Sequence, residues 1–585
     1  MKKTYIALSG CTSHWGDASN TLLLTDSCRI AGRDEPWKMY ADPIDMTRFH
    51  GPSSVFKAQL LCNKYAMKYI TVLAEALERY LKLNYDAMFY QRILAAWVIG
   101  FIQALFDRFC SIEKASSICG ACFLTNAGET PQPFHTALHQ SSVLGSDDIY
   151  NLFLYSDIVR VLDLPFTPHP AVKFSLNNTY IFGASGKPRF LKSFLRDTLL
   201  AYEKIFSTST HLCYEVYGIP SLRAITHYTR RLFPMSNQIK LTLPLDVKFR
   251  STPLPAPAKN EFEHVLSTLL PRYLPVGLCE ALPHFVQWAK LQRLPHKGCL
   301  VTSIGMYNDP ALLTLAGVQK RPLCIVEHGG NAMFNSCDPH LYAEQVTADR
   351  YFSTGQGLHS LPSAYISNVF QRKMLSPPLL IGNDSHRYLV RFMPVFGEGS
   401  MRPYHNWRIR FLQALRKEEY PQVRLYFREF GWGVSSTLKK TLPSLCIQDG
   451  DIPIEQAIGE APLIILDHCL TTLFRTMATN TPTIIFTPTG GFSVEAQEVI
   501  VQLRSVGIWH DTPEKAASFY SSLVKNNAGN WVKVEKDVKD WWLSQKVQSA
   551  RSIFCEKFAR TSPTWANEWL CAFDELAEEW TDMRN

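Results

Sequence analysis

The sequence predicts an α/β chain with two units of parallel sheet, a helical insertion in its first half and a helical tail. Three observations carry this. In Ala461–Gly491, APLIILDHCLTTLFRTMATNTPTIIFTPTGG, the apolar runs Pro462–Leu466 and Pro482–Phe486 are separated by a polar turn and a helix over about Thr471–Ala478. Apolar runs of this length, bounded by turn residues, suit strands covered on both faces. A second strand, polar loop, helix and strand runs from Cys299–Ile304 through Gly305–Pro310 to Pro322–Glu327, a Rossmann-like order. Finally, Ser54–Phe109 repeats apolar residues at spacings of three and four, the signature of helices with a buried face.

Along the chain, Tyr5–Leu8 and Thr21–Leu24 read as strands around the turn Gly10–Asp17, and Leu152–Leu162 reads as a helix. Pro165–Gly186 reads as irregular and Phe190–Phe206 as helical; the Pro-rich Arg250–Lys259 marks a boundary before a helical stretch over Glu261–Leu294. Arg350–Phe352 reads as a strand ending in Ser353-Thr354-Gly355. An interdomain linker is expected at Leu361–Ser385, with strands at Tyr388–Pro394, Val423–Phe427 and Leu463–Leu466 beyond it. In Ser505–Phe519 a short strand leads to a helix opened by Asp511-Thr512-Pro513-Glu514, where Thr512 can cap and Pro513 suits the first helical position. Trp531–Trp569 is amphipathic and aromatic-rich. The expected domains are 1–360, 380–530 and a tail over 531–585.

Composition narrows the function classes. The chain has 585 residues, 46% of them apolar and 19% charged, with net charge +8. That is a globular protein of two or three domains. Its mild basicity lacks the dense patterning of a nucleic-acid binder but suits an anionic sugar nucleotide or membrane surface. The apolar start is too short for a signal peptide. Ile93–Phe106, interrupted by Gln103, is too short to span a bilayer and reads as a buried helix. The 15 cysteines are scattered, and a lone Cys119-Gly-Ala-Cys122 is a weak metal signal; a cytoplasmic protein with reduced thiols is expected.

Ligands of parallel sheets bind at the carboxyl ends of the strands. Three loops of the first half meet that condition: Cys11–Asp17 with Ser13, His14 and Asp17; Gly305–Asp309; and Glu327-His328-Gly329-Gly330. Glycines admit close backbone approach, and His328 can bind an anion or relay a proton. Each of these residues also has a plain structural reading as a loop or capping residue. In the second half, Arg424 and Arg428 share a strand face and suit phosphate or carboxylate. Thr471 and Thr472 open a helix whose amides favour an anion. Ser493 and Glu495 follow Gly490-Gly491 and stand within reach of a ribose or base.

In order along the chain, SGCTSHWGDASNTLLLTDSCRI, YQRILAAWVIGFIQALFDRF, IVEHGG, AEQVTADRYFSTG, LYFREFGWG, TNTPTIIF and VGIWHDTPEKAA resemble a family of bacterial surface-carbohydrate transferases. The set is also similar to the capsule enzymes that move Kdo and to pseudaminic acid transferases. The resemblance implies a GT-B-like fold, two Rossmann-type domains facing a cleft. It implies a glycosyltransferase, at the cytoplasmic face of the inner membrane or free in the cytoplasm, that moves a CMP-activated nonulosonic acid or Kdo-like sugar onto an oligosaccharide or lipid-linked glycan such as capsule, without a catalytic metal or other cofactor. It places Glu344 and Asp349 on the family's acidic positions, a carboxylate there acting as base or as nucleophile of a retaining reaction; Glu344, His328 and Asp309, the last two from their strand-end loops, are the catalytic candidates. The chain departs from the family pattern at Asp467-His468, at Arg475 and at Glu327. A transferase using another nucleotide donor or a polyol phosphate, and a non-catalytic glycan-binding or assembly protein, are the alternatives.

Overall fold

The computed structural model describes the chain except for residues 1–2, 30–34, 46–50, 130–131, 173, 175–179, 183–210, 215–229, 232–238, 242, 293–297, 304–309, 328, 356, 358, 364–376, 384–385, 394–400, 427–431, 449–453, 488–490, 525–527 and 583–585. The helix expected at Phe190–Phe206 lies outside the described residues.

Three parallel sheets organise the molecule. The first contains β1 (Thr4–Ala7), β2 (Thr21–Leu23), β3 (Ala121–Asn126) and β4 (Phe166–His169), ordered β2-β1-β3-β4. With β5 (Tyr180–Phe182) and β8 (Ile239–Leu241) forming a small antiparallel pair, the second contains β6 (Leu212–Tyr214), β7 (Arg230–Arg231), β9 (Leu300–Thr302), β10 (Leu323–Val326) and β11 (Arg350–Phe352), ordered β11-β10-β9-β6-β7. The third contains β12 (Leu379–Asn383), β13 (Gln422–Tyr426), β14 (Ile464–Leu466), β15 (Thr483–Phe486) and β16 (Trp509–His510), ordered β13-β12-β14-β15-β16. Every pairing within these sheets is parallel. Each sheet starts in its middle, adds one strand outward, then reverses. Such an order leaves a crevice at the carboxyl ends of the two strands where the direction switches.

The helical stretch over Ser54–Phe109 resolves into α1 (Gly51–Leu81) and α2 (Ala87–Ser116), broken at Lys82 and Asn84, both with positive φ, and restarted by Asp86, whose side chain caps the Phe89 amide. α2 is long and apolar enough to cross a membrane by length and composition, but 83% of its most apolar window is buried inside the protein. It packs between α1, α4 (Asp148–Val161, which follows α3, Ala137–Ser146) and α5 (Glu261–Tyr273) on one side, and α6 (Pro310–Val318) and α7 (Pro339–Thr347) of the second sheet on the other. One continuous core therefore joins the first two sheets.

Several expectations are corrected. The interval Leu361–Ser385 is not only linker, because it contains β12, the strand from which the third sheet grows. Tyr388–Pro394, expected as a strand, pairs with none over its described residues: it is an irregular strap laid into the first unit. Tyr388 N–H donates to the Gly145 carbonyl at 3.0 Å, Phe392 N–H to Gln103 Oε1 at 2.9 Å, and the Arg108 guanidinium holds the Leu389 carbonyl. Its apolar residues mimic a strand because Tyr388 and Phe392 are buried in that shared core. Pro165–Gly186, expected to be irregular, contributes β4 and β5. Up to residue 360, where one Rossmann-like unit was expected, the chain carries two parallel sheets; the strands of the first are only three to six residues long between long helices.

The second and third sheets meet through their carboxyl-end loops, a GT-B-like arrangement of two Rossmann-type units. The segment after β10 pairs with the loop after β15: Asn335 bridges Phe492, Ser336 N–H donates to the Gly491 carbonyl at 2.8 Å, and Ser493 N–H donates to the Phe334 carbonyl at 3.0 Å. The third unit carries α8 (Met401–Gln413), α9 (Thr471–Ala478) and α10 (Val494–Ser505), and the tail helices are α11 (Trp531–Trp542), α12 (Gln545–Phe558) and α13 (Trp565–Asp582). Trp542, Phe554 and Phe558 complete the core beneath the third sheet with Phe334 and Phe474. α13 returns to the second sheet, where Trp569, Phe573 and Leu576 cover Val301, Val326 and Phe352.

Candidate active site

The third sheet reverses between β12 and β14, and a buried polar network fills that point. Asp467 follows β14 and accepts hydrogen bonds from Tyr404 Oη and Arg408 Nε of α8. Arg408 Nη2 also donates to the Asn383 carbonyl at the end of β12, at 2.7 Å, and Asn383 N–H donates to Tyr404 Oη at 2.9 Å. His468 Nδ1 lies 2.9 Å from Asp467 Oδ1. Burial alone would raise the Asp467 pKa, but the Arg408 charge and the His468 and Arg408 hydrogen bonds outweigh it and hold the carboxyl at about 2. A carboxylate bonded on this many sides is a rigid brace for the turn it occupies, not a free acid. Gly382 is part of the design: a Cβ there would stand 2.5 Å from the Arg408 guanidinium.

The turn braced in this way opens α9. Its N-cap residue is Leu470, so no side chain caps the first amides of the helix, which leaves donors and the positive helix end for an anion. The Gly329–Gly330 loop lies against this end. Both glycines have positive φ, +103° and +80°, and a Cβ on Gly329 would meet Thr471 Oγ1 at 2.3 Å, one on Gly330 the Phe474 ring at 3.0 Å. Three expected site residues, Gly329, Gly330 and Thr471, are thus brought together where two sheets face, with His468 in the turn that precedes Thr471. Thr472 is buried one residue into the helix.

Arg424 lies within β13, opposite Ile381 of β12, not flanking the strand. It is 8% exposed and its Nη1 has no hydrogen-bond partner. A guanidinium nitrogen buried without an acceptor is unfavourable by about 1–3 kcal/mol, so an anion beside it would be favoured. Alternation places it on the face of the sheet that carries Ile381 and Leu466, the face covered by α9.

Other candidates have structural occupations. Ser493 caps α10 by accepting from Ala496 N–H at 3.2 Å and donates to the Met333 carbonyl at 3.1 Å; its hydroxyl is used by the seam. Glu495 is exposed on the first turn of α10. Asp349 accepts from Arg92 Nη2 at 2.6 Å on both oxygens and from Leu323 N–H at 2.7 Å, which anchors α2 to the second sheet. Arg350 pairs with Glu579 of α13 at 2.6 Å, and Arg475 with Glu455 at 2.7 Å. Glu327 Oε1 accepts from Ala332 N–H at 2.8 Å and Oε2 from Thr354 N–H at 2.8 Å, which ties the ends of β10 and β11. Burial raises its pKa against those hydrogen bonds.

Glu344 is buried in α7. Its carboxylate, with those of Glu327 and Asp338, acts on the Tyr351 hydroxyl; burial first and these three charges next push that phenol far above its usual pKa. His328, Asp309 and Arg428 lie outside the described residues.

The loop with Ser13, His14 and Asp17 stands at the reversal point of the first sheet. His14 is buried, with Nδ1 at 3.3 Å from Ser13 Oγ and its ring 5.6 Å from that of His169. Its Nε2 is buried without a hydrogen-bond partner among the described residues. Burial and His169 lower its pKa. Asp17 is exposed and caps the turn through Ser19 N–H at 2.9 Å. These three residues have no described contact with the Gly329–Thr471 seam. Among the described residues, no group of three or more His, Cys, Asp or Glu is placed to hold a metal ion.

Sequence reasoning missed the braces. Arg408 and Tyr404, four apart on one face of α8, and the strap pair Arg387–Asp148 at 2.7 Å with Tyr388 Oη on Asp148 at 2.6 Å give no local sign except the i,i+4 spacing of Tyr404 and Arg408.

The family model described as LIC12162 family transferase matches residues 4–573. No curated protein matches the sequence. Solved structures that match include a mutant of the Thermobaculum terrenum O-GlcNAc transferase, 10% identical with a TM-score of 0.31, over 89% of this chain and 99% of that one. The spinosyn rhamnosyltransferase SpnG matches in complex with spinosyn aglycone, 11% identical with a TM-score of 0.25, and alone, 12% identical with a TM-score of 0.23. Each covers 52% of this chain and 77% of that one.

Proposed function

The chain belongs to the LIC12162 family of transferases, and from that premise we propose that it is a glycosyltransferase that takes a CMP-activated nonulosonic acid or Kdo-like sugar and passes it to a surface-glycan acceptor. The observation that carries this reading is the seam where the Gly329–Gly330 loop lies on the uncapped start of α9. The phosphate of the donor sits against the α9 amides with Thr471 and Thr472. Arg424 supplies a cation, and His468 of the Asp467–His468 turn a hydrogen-bonding ring, for phosphate and sugar carboxylate. Charge that develops on the departing nucleotide phosphate is stabilised by these fixed donors, so the reaction needs no metal. Glu344, His328 and Asp309 are the groups from which the acceptor's base, or a carboxylate nucleophile, is drawn.

The test is thermal stabilisation of the full-length protein by CMP, UDP and GDP, each against buffer. A nucleotide at about 100 times its dissociation constant adds roughly 2.7 kcal/mol. Selective stabilisation by CMP, followed by the acceptor's mass increase from CMP-Kdo or CMP-pseudaminic acid, is the expected result. Selectivity for UDP or GDP refutes the CMP donor and leaves a transferase of another donor. No response to any nucleotide favours a glycan-binding or assembly protein.

A further inference from the structure

The helix α1 buries one face in the core of the first two sheets, and its first four turns expose an unusual one. At 100° per residue, Val55, Cys62, Ala66 and Tyr69 lie on the buried arc. On the opposite arc Phe56, Leu60 and Met67 fall within about 40° of one another, Lys64 and Lys57 follow, and Leu61 closes the stripe. Phe56 is 38% exposed, Leu60 46%, Leu61 39% and Met67 36%. From Phe56 to Met67 the stripe runs about 16 Å along the axis.

Its charge is of one sign. Gly51–Ala74 contains Lys57, Lys64 and Lys68 and no Asp or Glu. Lys57 and Lys64 are exposed, and neither enters an ion pair among the described residues. Lys68 is taken by Glu263 at 3.0 Å, and this pair, with the exposed Glu75 further along the arc of Lys57 and the exposed Glu261, marks the acidic limit of the face. Exposed apolar side chains on either side of two lysines without ion pairs fit an anionic lipid surface: the apolar groups enter the boundary between headgroups and acyl chains, and lysine stems reach outward to lipid phosphates. A second copy of the chain on this face would set lysine against lysine.

We propose that this face of α1 docks the protein on an anionic phospholipid bilayer. The proposal is independent of the identity of the donor. Each lysine near such a surface contributes about fivefold to binding, so removing two lowers it about 25-fold, and high salt weakens it.

The experiment is flotation of the full-length protein with vesicles of phosphatidylglycerol and phosphatidylcholine, and with phosphatidylcholine alone. It is run for the unaltered protein, for K57Q/K64Q, for F56S/L60S, and for K546Q, which removes an exposed charge on α12. Circular dichroism checks folding, and light scattering the oligomeric state. The expected result is salt-sensitive binding to the anionic vesicles, lost in both α1 variants and kept in K546Q. Absence of binding at low salt, or α1 variants that bind as the unaltered protein does, overturns the proposal. So does equal loss in K546Q, which reduces the effect to net charge. Variants that alter the oligomeric state and leave vesicle binding unchanged overturn it in favour of a second copy.

Discussion

Replacing Gly329 with alanine tests whether the two sheets communicate through the seam. The φ of +103° lies where residues other than glycine are strained by about 1–3 kcal/mol. The new Cβ would stand 2.3 Å from Thr471 Oγ1, 3.2 Å from Thr471 Cβ and 3.3 Å from its Cγ2. The loop must withdraw from the start of α9, so nucleotide affinity should fall about tenfold or more, which corresponds to roughly 1.4 kcal/mol. Thr471→Ala removes Oγ1 and Cγ2, the nearest and one of the two next contacts. Alone it should lose about one hydrogen bond to the donor phosphate, on the order of 1 kcal/mol. In G329A/T471A the clash is relieved, and affinity should approach that of T471A. Calorimetric titration of the four proteins with the nucleotide that stabilises the unaltered chain gives the coupling directly, expected at about 1 kcal/mol. Additive losses, within about 0.3–0.5 kcal/mol, would falsify the contact as a functional seam.

Three further perturbations separate binding groups from braces. Arg424→Gln should weaken nucleotide binding by about 1.5–3 kcal/mol, the worth of a charged hydrogen bond. It should leave the melting temperature of the free protein unchanged or raised, because a guanidinium nitrogen buried without a partner is removed; a lower melting temperature with unchanged affinity would show that Arg424 is structural. Asp467 has a folded pKa of about 2, below its ordinary 3.8, so it contributes stability that is full above about pH 4 and lost as pH falls towards 2, about 2 kcal/mol in all. Denaturation midpoints of the unaltered protein and Asp467→Asn should therefore differ most at neutral pH and converge in acid, and a constant gap would refute the assignment. Asp349→Asn leaves Arg92 buried without its carboxylate and should destabilise the fold by about 3 kcal/mol, while the nucleotide affinity of the folded fraction stays unchanged in titration; a change in affinity with normal stability would return Asp349 to the site.

Much of the fold was legible because it is written locally. The strand Arg350–Phe352 and the helix Thr471–Ala478 match their expected bounds, since turn residues punctuate each run. β12 was missed because LLIGN follows a stretch with no periodic signal, and its strand character comes from β13 and β14 on either side. The strap at Tyr388 was read as a strand because an apolar run reports burial and not the partner that buries it. Gly329–Gly330 and Thr471–Thr472 could each be named from sequence, as glycines at a strand end and hydroxyls at a helix start. That they touch could not, because nothing local encodes a contact between residues more than a hundred positions apart. The braces Arg408 and Tyr404 were hidden for the same reason: their carboxylate lies some sixty residues on.

The strap also explains how three sheets act as one scaffold. It leaves β12 at the point where the third sheet reverses, and within a few residues Arg387 and Tyr388 reach Asp148 at the start of α4, while the Gly10 amide donates to Tyr388 Oη at 2.9 Å. Gly10 follows β1, one of the two strands at which the first sheet reverses. Ser27 Oγ, beyond β2, donates to the Arg387 carbonyl at 2.6 Å, and Arg402 of α8 reaches Asp26 at 2.8 Å. The reversal points of the first and third sheets are therefore joined by buried and partly buried hydrogen bonds, those to Asp148 and Asp26 charge-assisted, which are directional and do not slide as an apolar contact does. A hinge between two Rossmann-type units that face across a cleft would normally lie in the linker. Here the chain after β12 is pinned to the first unit, and the second and third sheets are tied to each other by the backbone hydrogen bonds of the seam beside Gly329 and Thr471.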